Sequence, residues 1–100
     1  IIDRYDKIGI EVHITEMDVA LVVPPAQRDL DKQAEVYFDT LRACLEHQNC
    51  RAVITWGFTD KVSWLNYFYP GHGAGLPLDN NYQRKPAYLR MVDALLMHIS

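Results

Sequence analysis

The sequence contains no apolar run approaching the roughly 18 residues that a membrane-spanning helix requires, so no such span is expected. It also lacks any excess of positive charge. Ten Lys and Arg against 13 Asp and Glu give a formal net charge of −3, which leaves no electrostatic footprint for nucleic acid or an anionic membrane. No basic-then-apolar leader opens the chain, and the first residues, Ile1-Ile2-Asp3, read as the interior of something longer. Internal repeats, linkers and low-complexity stretches are absent as well. What is present is ordinary globular material, 49% hydrophobic and 23% charged. Residues 1–100 are therefore read as one folding unit.

Two amphipathic helices stand out. From Leu30, the residues Ala34, Tyr37, Phe38, Leu41 and Leu45 recur at steps of three and four and line one helical face. Pro24-Pro25 must lie before that helix, and Asp29 and Asp31 suit its positive N-terminal end. The second helix carries the stripe Tyr88, Leu89, Val92, Leu95, Leu96 and Ile99, with Pro86 in its first turn. Ile1 to Lys7 reads as a helix tail stopped by Gly9. Strands are expected over Gly9–Thr15, where Ile10, Val12 and Ile14 alternate with Glu11, His13 and Thr15, and over Arg51–Trp56, around Ala52-Val53-Ile54. Strands alternating with helices predict an α/β fold with parallel pairing. Two parallel strands cannot bury both their faces unaided, and Gly57 to Tyr82 is too long and too aromatic for an idle connection.

Chemistry concentrates at two places. Glu16 and Asp18, in His13-Ile14-Thr15-Glu16-Met17-Asp18, lie two apart at the C-terminal end of the first strand. Strict alternation sends both to one side, where α/β barrels carry catalytic groups; a solvated strand end is the competing explanation. His13 and Glu16 also form an H-x-x-E spacing, but alternation puts them on opposite faces, so no metal site is expected. The second place is Trp56, at the end of the second strand, with Trp64 in the loop beyond it. Indole faces near carboxylates suit sugar rings; a core position is the commoner explanation for either Trp taken singly, but two in one loop segment above a strand end weigh evenly with a binding role.

Four segments, Glu11-Val12-His13-Ile14-Thr15-Glu16-Met17-Asp18, Ile54-Thr55-Trp56-Gly57-Phe58-Thr59-Asp60, Ser63-Trp64 and Leu78-Asp79-Asn80-Asn81-Tyr82-Gln83-Arg84-Lys85-Pro86-Ala87-Tyr88, together resemble the C-terminal part of glycoside hydrolase family 10, the retaining endo-1,4-β-xylanases. Order and spacing agree across essentially the whole chain. The resemblance implies the last two βα units of a TIM (β/α)8 barrel, with the two strands as its seventh and eighth. It makes Glu16 the catalytic nucleophile and Asp18 the carboxylate that supports it through a His of an earlier loop, a partner missing here. It makes Trp56 and Trp64 walls of the sugar sites, and gives Lys85-Pro86-Ala87-Tyr88 a packing role at the entry to the last helix. The substrate implied is xylan or a xylo-oligosaccharide, and the chemistry calls for no cofactor.

The family's general acid/base Glu, in an Asn-Glu motif on an earlier strand, has no counterpart in the chain. Glu11, Glu35 and Glu46 are unsuitable substitutes, by strand face or by lying on the first helix. The chain thus reads as roughly a third of an enzyme, expected to lack normal turnover alone and to associate with a complementary N-terminal barrel portion or with itself. A xylan-binding unit without catalysis, using Trp56 and Trp64, is the alternative. Cys44 and Cys50 echo a cysteine pair of secreted family members; that likeness favours a disulfide and an extracellular setting, two buried thiols being the other possibility. His47 and His98, near helix C-termini, read as structural, and His72 as a solvated loop residue.

Overall fold

The computed structural model describes residues 1–99. Helix α1 spans Ile2–Lys7 and stops at Gly9, whose φ of +76° is a conformation that side-chain-bearing residues resist. The Ile10 amide closes this end by donating to Tyr5 O at 2.9 Å. Because that closure consumes residues 8–10, the first strand, β1, runs Val12–Met17 rather than from Gly9. It pairs in parallel with β3, Cys50–Thr55, aligning Ile14 with Val53 and Met17 with Thr55. Between them in the chain lie β2 (Leu21–Val22) and the 19-residue helix α2 (Gln27–Leu45). The long segment after β3 is not featureless. It holds one helical turn, α3 (Leu65–Phe68), and β4 (His72–Gly73), which pairs antiparallel with β2. His72 therefore belongs to a small second sheet instead of a loop, though its side chain is exposed. Helix α4, Pro86–Ile99, completes the order, and no described helix is long and apolar enough to cross a membrane.

Helix α2 buries Gln33, Ala34, Tyr37, Leu41 and Cys44, the three-and-four periodicity of its sequence plus one glutamine that hydropathy conceals. It begins three residues before Leu30, at an extended Ala26 that offers no side-chain cap. Asp29 lies in its first turn, and Asp31 accepts a hydrogen bond from Gln27 at 2.9 Å. Helix α4 packs chiefly on α2, but not through the stripe its sequence advertises. Its fully buried residues are Ala87 and Ala94, whereas Leu89, Leu95, Leu96 and Ile99 are exposed. Small residues let the two helix backbones approach, and Arg90 locks the contact, its guanidinium 3.8 Å above the Phe38 ring and 2.9 Å from the Glu35 carboxylate. The branched residues of α4 form an apolar surface that no described residue covers, and Ile54 of β3 is half-exposed.

Cys44 and Cys50 are joined in a disulfide, their Cα atoms 5.1 Å apart, linking the end of α2 to the start of β3. His47 Nδ1 lies 2.7 Å from Ala43 O in the same corner. Closing so short a loop restricts the unfolded chain by about 2 kcal/mol. A reductant is therefore expected to lower the stability of the chain by that order. Urea unfolding with and without dithiothreitol checks this, and coincident midpoints would contradict it.

Candidate active-site cleft

The end of β1 departs from ideal strand geometry where the chemistry lies. The ladder shifts between Ile14 and Met17, and Glu16 takes φ = +58°, an uncommon conformation for a residue with a Cβ. Alternation consequently ends at Thr15: Thr15 and Glu16 are both exposed, and parity no longer describes where Glu16 projects relative to His13 or Asp18. Such a backbone costs about 1–2 kcal/mol and persists only where neighbours hold it. The holding contact is visible, for Trp56 N donates to Met17 O at 2.9 Å and ties the two strand ends together.

Glu16, Asp18, Trp56 and Trp64 line one open cleft of about 230 Å³. All four residues singled out by sequence thus meet at the C-terminal ends of β1 and β3. Asp18 is not left without a partner, as the sequence implied. Its Oδ2 accepts a hydrogen bond from the Trp64 indole Nε1 at 2.6 Å, which spans 46 residues and fixes the loop tryptophan against the strand end. A bond of that separation cannot be read from local sequence. His13 Nε2 sits 3.8 Å from the Glu11 carboxylate, both side chains exposed. Of the remaining glutamates, Glu35 is bound by Arg90, and Glu46 by Arg42 at 3.1 Å.

Beneath the cleft runs the strap Ala74–Leu76, which the sequence did not mark as important. Gln33 Nε2 donates to Ala74 O at 2.6 Å and to Val19 O at 2.7 Å. Tyr37 OH donates to Gly75 O, and Val19 N shares that acceptor at 2.9 Å. Burial, reinforced by the nearby Asp18 and Asp60 carboxylates, pushes the Tyr37 phenol far above its usual range, so it stays a donor. Leu76 N donates to Asp60 Oδ1 at 2.8 Å, and Lys85 Nζ reaches both Asp60 Oδ2 at 2.9 Å and Ala74 O at 2.7 Å. Gly75 is required by space: a Cβ there would lie 2.8 Å from Leu65 Cδ1 and 3.3 Å from Asp18 Cβ. A larger hollow of about 730 Å³ borders this strap, lined among others by Leu30, His72, Arg84 and Lys85. Its one buried carboxylate, Asp60, is already engaged by Lys85 and Leu76. Helix α2 thus supplies polar anchors, Gln33 and Tyr37, where periodicity read only a core stripe. Among the described residues, no group of three or more His, Cys, Asp or Glu gathers as metal ligands would.

Carboxylates and indoles gathered at the C-terminal ends of parallel strands define the class: an α/β unit with such groups at the end where barrel enzymes carry their sites. Within that class the chain belongs to glycosyl hydrolase family 10, whose sequence profile matches residues 1–94. It is 38% identical over 92 residues to an endo-1,4-beta-xylanase of Agaricus bisporus, covering 92% of this chain and 28% of that protein. It is 41% identical over 88 residues to endo-1,4-beta-xylanase B of Thermotoga neapolitana, covering 87% of this chain and 25% of the relative. Xylanase 10B from Thermotoga petrophila RKU-1, solved in complex with xylobiose, superposes with a TM-score of 0.92 at 37% identity, over 98% of this chain and 30% of that one. Native xylanase 10B from Thermotoga maritima gives 0.91 at 39% identity, over 97% and 30% respectively. The chain spans less than a third of the length of these relatives.

Proposed function

We propose that the chain is the C-terminal portion of a retaining endo-1,4-β-xylanase, with β1 and β3 as the seventh and eighth strands of a (β/α)8 barrel. The observation that carries this reading is the single cleft holding Glu16, Asp18, Trp56 and Trp64 in a chain of this family. Glu16 is the nucleophile. Its carboxylate attacks the anomeric carbon, the glycosidic oxygen leaves with the bonding pair, and water later cleaves the glycosyl ester. Asp18 holds Trp64 in place as a wall of the sugar site, which Trp56 also lines. Retention needs a second carboxyl about 5–5.5 Å away to protonate the leaving oxygen. Asp18, the other carboxylate lining the cleft, is engaged by Trp64, which supports an acid/base supplied from outside this chain.

The uncovered surface of α4 and β3 is where the remaining barrel packs, or a second copy in its absence. The disulfide and a polymeric substrate found outside cells both agree with an extracellular setting. Purified chain is expected to show no sustained release of reducing sugar from xylan, and to sediment as more than a monomer. Glu16-dependent turnover that survives purification would overturn the missing-acid reading, and a folded monomer in dilute solution would overturn the association. A xylan-binding role without catalysis is the second reading, favoured by the engagement of Asp18. Binding lost in Trp64→Ala but intact in Glu16→Ala would select it.

A further inference from the structure

Beyond Trp64 the chain makes a single helical turn that turns one side chain in and leaves aromatic ones out. Leu65 is buried, whereas Tyr67 and Phe68 are 83% and 70% exposed. The turn is held firmly for so short an element. Asn66 Nδ2 donates to Asp60 O at 3.0 Å, Leu65 N to Ser63 Oγ at 3.2 Å, and Tyr69 N to Leu65 O at 3.1 Å. Trp64 joins the turn to the cleft. One side of it is bound to Asp18, Tyr69 meets it edge-on at 5.2 Å, and the Phe68 ring centre lies 6.0 Å away. Aromatic contact therefore runs from the cleft wall through Tyr69 and Phe68 toward the outside of the molecule, where Tyr67 is the next exposed ring in the turn.

On this surface, and resting on the reading of the cleft as a xylan site, we infer that Tyr67 and Phe68 form a second, external seat for the same polysaccharide. The seat grips sugar units of a xylan chain, or its neighbour in insoluble xylan, outside the cleft. Ring chemistry distinguishes this patch from the other exposed apolar surface. The α4 face is aliphatic, made of Leu89, Leu95, Leu96 and Ile99, and offers protein-like packing with no polar handle. Tyr67 and Phe68 instead present flat faces for the C–H side of a pyranose, and a phenol for its hydroxyls. Another aromatic pair, Phe58 with Tyr82, is less available, since Lys61 Nζ already lies 5.6 Å from the Tyr82 ring centre. The hydrogen bonds from Asn66 and to Ser63 already hold the turn's backbone, so little backbone ordering accompanies binding.

The test compares the chain with its Tyr67→Ala/Phe68→Ala variant in two measurements. Depletion onto insoluble xylan reads the external seat, and xylobiose titration of indole fluorescence reads the cleft, since Trp56 and Trp64, the two tryptophans of the chain, both line it. The expected result is a fall of about tenfold in retention on insoluble xylan, the scale of two lost ring contacts, with the xylobiose titration unchanged. Both residues are exposed, so circular dichroism should be the same for the two proteins. Equal retention overturns the inference while leaving the cleft reading intact, as does a wild-type chain that xylan does not retain but xylobiose quenches. Retention that depends on the two rings, with no indole response to xylobiose, preserves the seat and removes the cleft reading. A wild-type oligomer that the variant dissociates, with retention unchanged, assigns the patch to protein contact and overturns the proposal.

Discussion

Mixing the chain with an aryl β-xylobioside that bears a good leaving group is expected to release close to one equivalent of phenol per chain and then stall, and Glu16→Ala is expected to release none. Such a leaving group departs as a phenolate and needs little proton donation, so the first step tests Glu16 without calling on a general acid. On the proposed reading Glu16 attacks the anomeric carbon, the bond from that carbon to the phenolic oxygen breaks, the phenolate leaves with the bonding pair, and the sugar remains as an ester on Glu16. Loss of the attacking carboxylate should lower the rate on the order of 10⁵-fold, which is indistinguishable from silence in this assay. The backbone supports the assignment. A side-chain-bearing residue held at φ = +58° beside a ladder irregularity is a conformation that neighbours must enforce, and such residues cluster at functional sites. Equal release from both proteins would remove Glu16 from the mechanism. Silence from both would mean that the cleft needs the rest of the barrel before it can react.

Lys85→Met is expected to cost about 3–5 kcal/mol, a large share of what a domain of this size has to lose. The ammonium and the Asp60 carboxylate are both almost fully buried and 2.9 Å apart. Removing the cation leaves Asp60 Oδ2 charged and without its donor, and takes a hydrogen bond from Ala74 O. Asp60→Asn/Lys85→Met should recover part of the loss, because the neutral amide removes the stranded charge and still offers an oxygen to Leu76 N. Urea unfolding followed by indole fluorescence measures all three proteins. A shift below about 1 kcal/mol for Lys85→Met would show that the pair does not hold the strap. The effect should also reach the cleft, since the strap carries Gly75 directly under Asp18.

Much of the architecture was legible because it rests on local periodicity. The burial of Ala34, Tyr37 and Leu41 follows from three-and-four spacing, and Gly9 marks a helix end because its left-handed conformation suits glycine. The same reasoning failed on α4. Its apolar stripe is real, but the helix packs on α2 through Ala87 and Ala94, residues that hydropathy ranks below Leu and Ile. Periodicity reports which face is apolar, not which face finds a neighbour. Lys85 shows the converse: composition marks a lysine as a surface residue, and only a carboxylate 25 positions away makes its burial tolerable.

The residue types of the site were fixed by sequence alone. Glu16, Asp18, Trp56 and Trp64 stand in family-like motifs, and the placement of Glu16, Asp18 and Trp56 at or just past strand ends, with Trp64 in the loop beyond, follows from the pattern around them. Their relation to one another was decided only in three dimensions. The left-handed turn at Glu16 overrides the alternation that a strand would impose. The 2.6 Å bond from Trp64 gives Asp18 a partner 46 residues away. Gln33, which hydropathy conceals, and Tyr37, a residue of the apolar stripe, hold the strap beneath the cleft. Local pattern sets which side chains share a face of one element, because that depends on backbone geometry within a few residues. Contacts between elements depend on how the whole chain closes, and no short stretch of sequence carries that information.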